Sequence, residues 1–260
     1  MRLIVYGDFN CPYSYLASQR VDELLRLGRV EVEWRAVEHN PRLSMTGTPS
    51  SADPEMWKRE LAEVAALALP GEEPPIAVPP VISNTLAAVS AHTEAVTDGL
   101  QHELRRALFT SIWVQQRHLS SAYDVRSVIT SITSPPFPIL PYLISELPLP
   151  GFGDPDPINI TRALGGTIAA NGIPLTTVGW RRGQEWRREW LALSQQVVPT
   201  VIDPTGRPLL GIEGLEYLAD LLTHSTTDGK AINPPTPLAT VRRSVMAGAH
   251  SDGSSRLKAA

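Results

Sequence analysis

The sequence predicts an α/β chain whose two strand-bearing ends are separated by an all-helical block. Three observations carry this reading. Residues 3–36 follow a strand–helix–strand pattern, helical faces recur from Asp53 to Leu193, and the chain closes as strand, turn, strand and helix between Val197 and Leu222.

Leu3 to Tyr6 is a short apolar run, as expected of a strand buried on both faces. Asp8-Phe9-Asn10 breaks it, and Pro12 stands where a first-turn proline is tolerated. A helix follows from about Pro12 to Leu27. Its face carries Leu16, Arg20, Leu24 and Leu27, widened by Val21 and Leu25, and Gly28 ends it. Val30 to Ala36 alternates apolar and charged residues, the pattern of a half-buried strand. In the middle block, Asp53-Pro54 opens a helix bearing Trp57, Leu61, Val64 and Ala68. Asn84-Thr85 opens another with Leu86, Val89 and Val96, and a third carries Leu100, Leu104, Leu108 and Ile112. Gln184 to Leu193 aligns Trp186, Trp190 and Leu193. The 24 prolines collect in the connections, above all between Pro70 and Pro80 and between Pro135 and Pro157, the latter within an irregular segment at 133–160. Near the end, Val197 to Ile202 reads as a strand, Asp203 to Gly206 as a type I turn, Pro208 to Leu210 as a strand and Glu213 to Leu222 as a helix. This divides the chain into a discontinuous α/β domain (1–40 and 196–223), an inserted block (41–195) and a tail (224–260) too polar to bury much, expected to be disordered.

Composition narrows function. The 260 residues, 42% hydrophobic and 19% charged, suit a globular protein, and a net charge of −4 argues against a general nucleic-acid binder. No apolar run is long enough to span a membrane, and the first residues lack a signal-peptide core. One cysteine excludes an internal disulfide and a cysteine metal cluster; a cytoplasmic setting is the expectation, and there the thiol stays free. The six histidines show no ligand spacing, so no metal is expected, and no nucleotide-binding glycine motif or serine-hydrolase elbow is present. The basic, aromatic stretch Trp180–Trp190 reads as an amphipathic helix with a solvated charged face.

Cys11 is the leading candidate for chemistry. At a helix start the unpaired N–H groups and the helix dipole favour an anion, so a lowered thiol pKa is expected. Ser14, one turn on, can donate a hydrogen bond to a thiolate there. The order of elements is that of a thioredoxin fold with a helical insertion. Cys11-Pro12-Tyr13-Ser14 at the first strand–helix junction, Asn84-Thr85, Ala107 to Leu119 and Val198 to Ile202 resemble the DsbA-like thioredoxin superfamily. That group includes FrnE-type dithiol oxidoreductases, kappa-class glutathione transferases and 2-hydroxychromene-2-carboxylate isomerases. With adjoining strands and the last helix, the resemblance covers somewhat under half of the chain.

The resemblance implies a cis bond before Pro199, with the Val198–Pro199 loop facing Cys11 and presenting a backbone to substrate. It also implies that Pro12, Tyr13, Asn84 and Thr85 line the substrate cleft, although Asn84 equally reads as a plain helix cap. Ser14 stands where dithiol members have a second cysteine, so an oxidised Cys11 would need an external thiol. The isomerase and transferase branch generally has serine where this chain has Cys11.

Three functions follow as expectations. The first is a monothiol disulfide oxidoreductase acting through Cys11 on a protein or small-molecule disulfide. The second is an isomerase or transferase that depends on a low-molecular-weight thiol and acts on a small aromatic substrate. The third is a redox-inactive binding module of the same fold. No tightly bound cofactor is expected, glutathione or another small thiol is the implied cosubstrate, and a homodimer is compatible with the sequence.

Overall fold

The computed structural model describes residues 1–28, 30–132 and 177–224. The 133–160 segment and the tail beyond 224 lie outside the described residues.

Strand β1 (Arg2–Gly7) is followed by helix α1 (Pro12–Leu27) and strand β2 (Glu31–Ala36). Both ends of α1 have local causes. Pro12 fixes the first turn, and Gly28 closes the helix in the left-handed region at φ 66°, its N–H donating to the Leu25 carbonyl. The strands β1 and β2 pair in parallel from Arg2 opposite Glu31 to Gly7 opposite Ala36. Late in the chain come β5 (Thr200–Ile202) and β6 (Pro208–Leu210), both antiparallel to their neighbours. The sheet order β2-β1-β5-β6 places β1, the most apolar strand, inside, and the two halves of the chain complete one sheet.

Between the halves lie α2 (Pro54–Leu67), α3 (Leu86–Ala95), α4 (Gln101–Phe109) running into a π-helical turn (Thr110–Val114), α5 (Ala122–Ile132) and α6 (Thr177–Leu191). Helix α7 (Ile212–His224) ends the described chain and packs on α1. The inserted block is not wholly helical, because Thr48–Pro49 (β3) pairs antiparallel with Val81–Ile82 (β4). Helix α5 was not expected either; its buried Ala122, Val125 and Val128 recur at three-residue spacing in a stretch rich in serine and β-branched residues.

The expected face of α3 is corrected. Leu86 is exposed, and the buried residues are Ala87, Ala88, Ala91, His92, Thr93, Glu94 and Ala95. The alanines join the main core, whereas Glu94 and Thr93 meet α6, where a Cβ on Gly179 would come within 2.1 Å of the Glu94 side chain. On α1, Leu16 and Leu24 join the core as expected, and so does Arg20, which is fully buried. Its guanidinium pairs with Glu72 (Nε–Oε1 2.8 Å, Nη2–Oε2 3.0 Å) and donates to the Leu67 and Leu215 carbonyls. Each of the three guanidinium nitrogens of Arg20 thus faces an acceptor, which is what permits a buried charge on an apolar stripe. Among the described residues no helix is long and apolar enough to cross a membrane.

Candidate functional site

The site forms at the junction between β1 and α1. Gly7 ends the strand beneath Trp34, where a Cβ would meet the indole at 2.3 Å. Asp8, Phe9 and Asn10 then turn inward, all buried. The Cys11 N–H donates to the Asp8 carbonyl (3.2 Å), and the Cys11 carbonyl accepts from Tyr15 (3.1 Å), so Cys11 is the N-cap of α1. The Phe9 carbonyl is held from the inserted block by the Trp113 indole N–H at 2.9 Å. Trp113 sits in the π-helical turn, a widening that commonly serves to aim a side chain. Phe9 also packs on Phe109 and on His92.

Across from Cys11, the Val198–Pro199 peptide bond is cis, and Pro199 is locked by a hydrogen bond from the Gly211 N–H to its carbonyl (2.8 Å). The Cys11 thiol lies 3.4 Å from the Val198 carbonyl, which accepts its hydrogen. The expected lowering of the thiol pKa is corrected here. Cys11 is 7% exposed, and burial pushes the thiol up to about 12, with the Asp8 carboxylate adding to the rise. The Ser14 N–H, the Ser14 hydroxyl and the Tyr13 N–H pull in the opposite direction but do not prevail. Desolvation of the thiolate outweighs the helix-start donors while the cleft stays as it is.

The cleft beside the thiol encloses about 460 Å³. Pro12, Tyr13 and Val198 line it, as do Trp57, Glu60 and His39. Tyr13 reaches across to hydrogen-bond Glu63 on α2. Ser14 is fully buried behind Cys11, where its hydroxyl oxygen accepts from the Asp8 N–H (3.3 Å). Asn84 and Thr85 are not among the cleft-lining residues, against the expectation from resemblance. Asn84 is spent on local structure: its Nδ2 donates to the Leu43 carbonyl, its Oδ1 accepts from Leu86, and its N–H donates to the Ser120 hydroxyl. Thr85 is buried at the same helix start.

Sequence reasoning missed Asp8 and His39 as a pair. One Asp8 oxygen accepts from the His39 N–H (2.8 Å) and lies 2.6 Å from its Nδ1. Burial opposes a charge on His39, but the hydrogen bond and charge of Asp8 outweigh it and raise the imidazole pKa. The signal was present in the parallel register: Gly7 opposite Ala36, extended by the Val37 N–H to the Gly7 carbonyl, brings residue 8 beside residues 37–39. Glu38, buried next to them, has its pKa raised by burial and by Asp8, opposed by Arg187 and Asn84. Among the described residues no group of three or more metal-ligating side chains is placed to hold a metal ion.

Similarity to known proteins agrees with this architecture. Residues 2–132 match the family model for the DSBA-like thioredoxin domain. No curated protein matches the sequence significantly. Among solved structures, a probable DsbA oxidoreductase from Streptomyces coelicolor superposes with a TM-score of 0.55 at 15% identity, covering 89% of this chain and 92% of that one. A 2-hydroxychromene-2-carboxylate isomerase superposes at 0.51 with 18% identity, covering 87% and 96%. At these identities the two neighbours speak for the fold. The family match covers half of the chain, from β1 through α5, and includes the Cys11 junction. The chain therefore belongs to the DSBA-like thioredoxin domain family.

Proposed function

We propose that the protein is a thiol–disulfide oxidoreductase that works through Cys11 alone, in a reducing compartment such as the cytosol. The observation that carries the reading is the thiol at the N-cap of α1, turned onto the Val198 carbonyl across an open cleft. Backbone next to a cis-proline is suited to pair with an extended substrate. A substrate N–H that takes the Val198 carbonyl removes the acceptor of the thiol hydrogen. The proton then leaves to water, and the Ser14 N–H, the Ser14 hydroxyl and the Tyr13 N–H remain to stabilise the thiolate.

That thiolate attacks one sulfur of the substrate disulfide. A Cys11–substrate S–S bond forms, the original S–S bond breaks, and the departing thiolate takes a proton from water. The chain has no second cysteine, so an external thiol finishes the cycle. It attacks the substrate-side sulfur, and Cys11 leaves as a thiolate and is reprotonated. The net result is exchange of disulfide partners, with no other oxidant and no tightly bound cofactor. Glutathione or another small thiol supplies the second half.

The test is intact-mass analysis of the native protein during prolonged exposure to the neutral 2-hydroxyethyl disulfide. One adduct on the natural sequence, none on Cys11→Ser, and release by added thiol are expected. A native protein that stays unmodified while its unfolded chain is fully modified would overturn the proposal. Thiol-dependent turnover of a small aromatic substrate that persists in Cys11→Ser would instead support the isomerase or transferase reading, in which Cys11 and Ser14 only assist.

A further inference from the structure

The charges around Cys11 are lopsided. Among the described residues lining the cleft there is no lysine and no arginine, whereas Asp53 and Glu60 both face it. Asp53 is the N-cap of α2, accepting from Met56 at 3.1 Å, and stands at the rim. Glu60 makes no hydrogen bond or ion pair with another described residue. Its pKa is raised by burial, lowered by His39 and Arg59, and raised again by Glu63 and Asp53. The one group on the lining that can become cationic, His39, already sits against the Asp8 carboxylate. Its positive charge is therefore matched within the protein, and the surplus is negative.

A second, independent feature points to a ligand. Asn10 lines the same cleft and is 4% exposed, yet its Oδ1 has no hydrogen-bond partner among the described residues. The amide orientation is set by its other end, since the Ser83 carbonyl at 3.1 Å can only accept and must face Nδ2. A buried acceptor left without a donor costs free energy until something supplies an N–H. Beside it, the Val198 carbonyl holds nothing stronger than a thiol hydrogen.

We infer that the Cys11 cleft is built for a disulfide or thiol that carries N–H donors and a net positive charge, in preference to a net-anionic one such as glutathione disulfide, whose four carboxylates outweigh its two ammonium groups. Asn10 Oδ1 and the Val198 carbonyl accept its N–H groups, and Glu60 with Asp53 balances its charge. The inference rests on Cys11 as the reacting group and adds to it the class of partner. A small aminothiol and a cysteine next to a basic residue in a peptide share this chemistry.

The experiment measures Cys11 mixed-disulfide formation in the full-length protein at about pH 8 with cystamine, 2-hydroxyethyl disulfide and glutathione disulfide. Each rate is divided by the rate of the same reagent with an unstructured cysteine peptide. Cystamine should exceed glutathione disulfide on the order of tenfold after normalisation, and the gap should shrink in about 1 M salt. Glu60→Gln should cut the ratio several-fold, and Glu60→Lys should reverse it. A lysine-flanked cysteine peptide disulfide run beside cystamine tells the two sources apart. Equal normalised rates, or a ratio that Glu60→Gln leaves unchanged, would overturn the inference.

A separate measurement does not depend on the reactivity of Cys11. In the Cys11→Ser protein, non-covalent binding of the same three disulfides is followed by the backbone amide resonances of residues 10–13. Tighter binding of cystamine supports the charge inference even if no adduct forms, in which case only the oxidoreductase reading fails. Adducts at equal rates with equal binding would leave that reading standing and remove the charge preference.

Discussion

Two helix starts in this molecule look alike in sequence and are built to opposite ends. At α3, Asn84 uses both ends of its side-chain amide and its own N–H on neighbouring backbone and on Ser120. At α1, the N-cap Cys11 makes no side-chain cap hydrogen bond. Its thiol is turned across the cleft to Val198, and the adjacent Asn10 keeps an acceptor unused. At α3 the Asn84 side chain is engaged, but the N-cap Thr85 beside it makes no side-chain cap hydrogen bond, and its buried Oγ1 has no partner among the described residues. The α1 start leaves unmet hydrogen-bonding capacity beside a nucleophile, held in place by Trp113 from behind. Unmet hydrogen-bonding capacity does not by itself mark a site: at α1 it lines a cleft beside a thiol, whereas Thr85 at α3 does not line that cleft.

The largest expected effect probes the α1 side. With the thiol pushed up to about 12 by burial, native Cys11 should react with iodoacetamide at about pH 8 at least about a hundredfold more slowly than in the unfolded chain. A native rate matching the unfolded one would mean that the thiol is not withheld, and the contrast with α3 would lose its basis.

The next probe concerns the support beneath the Cys11 loop. His92, fully buried between Phe9 and Trp186, has its pKa lowered to about 3, chiefly by burial and further by Arg105. The unfolded chain binds this proton at about 6.5 and the folded protein does not. The stability that depends on a neutral His92 is therefore complete above about pH 6.5 and falls as the pH drops toward 3. Its contribution to acid destabilisation should reach about 3 kcal/mol by pH 4. Denaturant titrations of the natural sequence and His92→Phe across that range would show it as a difference in slope, and parallel curves would remove His92 from the account.

The smallest effect belongs to α3. Asn84→Ala deletes the side-chain hydrogen bonds to the Leu43 carbonyl and from the Leu86 N–H, and the one to Glu38, and should cost about 2 kcal/mol of stability. Under folding conditions it should leave the normalised rate of Cys11 mixed-disulfide formation within about twofold. A larger drop in that rate at intact fold would place Asn84 in the site after all and erase the distinction drawn between the two helices.

Legibility in the sequence followed the range of the cause. Helix α1 was readable to the residue, because Pro12 and Gly28 act within one turn of themselves. The turn at Asp203 was readable as well: its Oδ1 accepts from Thr205 and Arg207, and Gly206 takes a φ of 89°. The face of α3 was not, since Leu86 obeys helical spacing yet is exposed, while Ala87, Ala88, Ala91 and Ala95 meet the core. Within the site, Cys11, Pro12 and Tyr13 could be placed from their own neighbourhood, whereas Asp8 with His39 needed the β1–β2 register.

By itself the sequence determined that one thiol stands at the start of the first helix, that no second cysteine can resolve it, and that the strand-bearing ends are separated by an inserted block. These are properties of composition and of short-range backbone preference. Only the tertiary structure decided how that thiol is tuned and what surrounds it. Its desolvation, the Val198 carbonyl opposite, the idle Asn10 oxygen and the uncompensated Glu60 come from residues 10–13, 39–60 and 196–198 meeting in one cleft. Burial and Coulomb interactions depend on distance through space, which the order of residues along the chain does not reveal until the sheet closes.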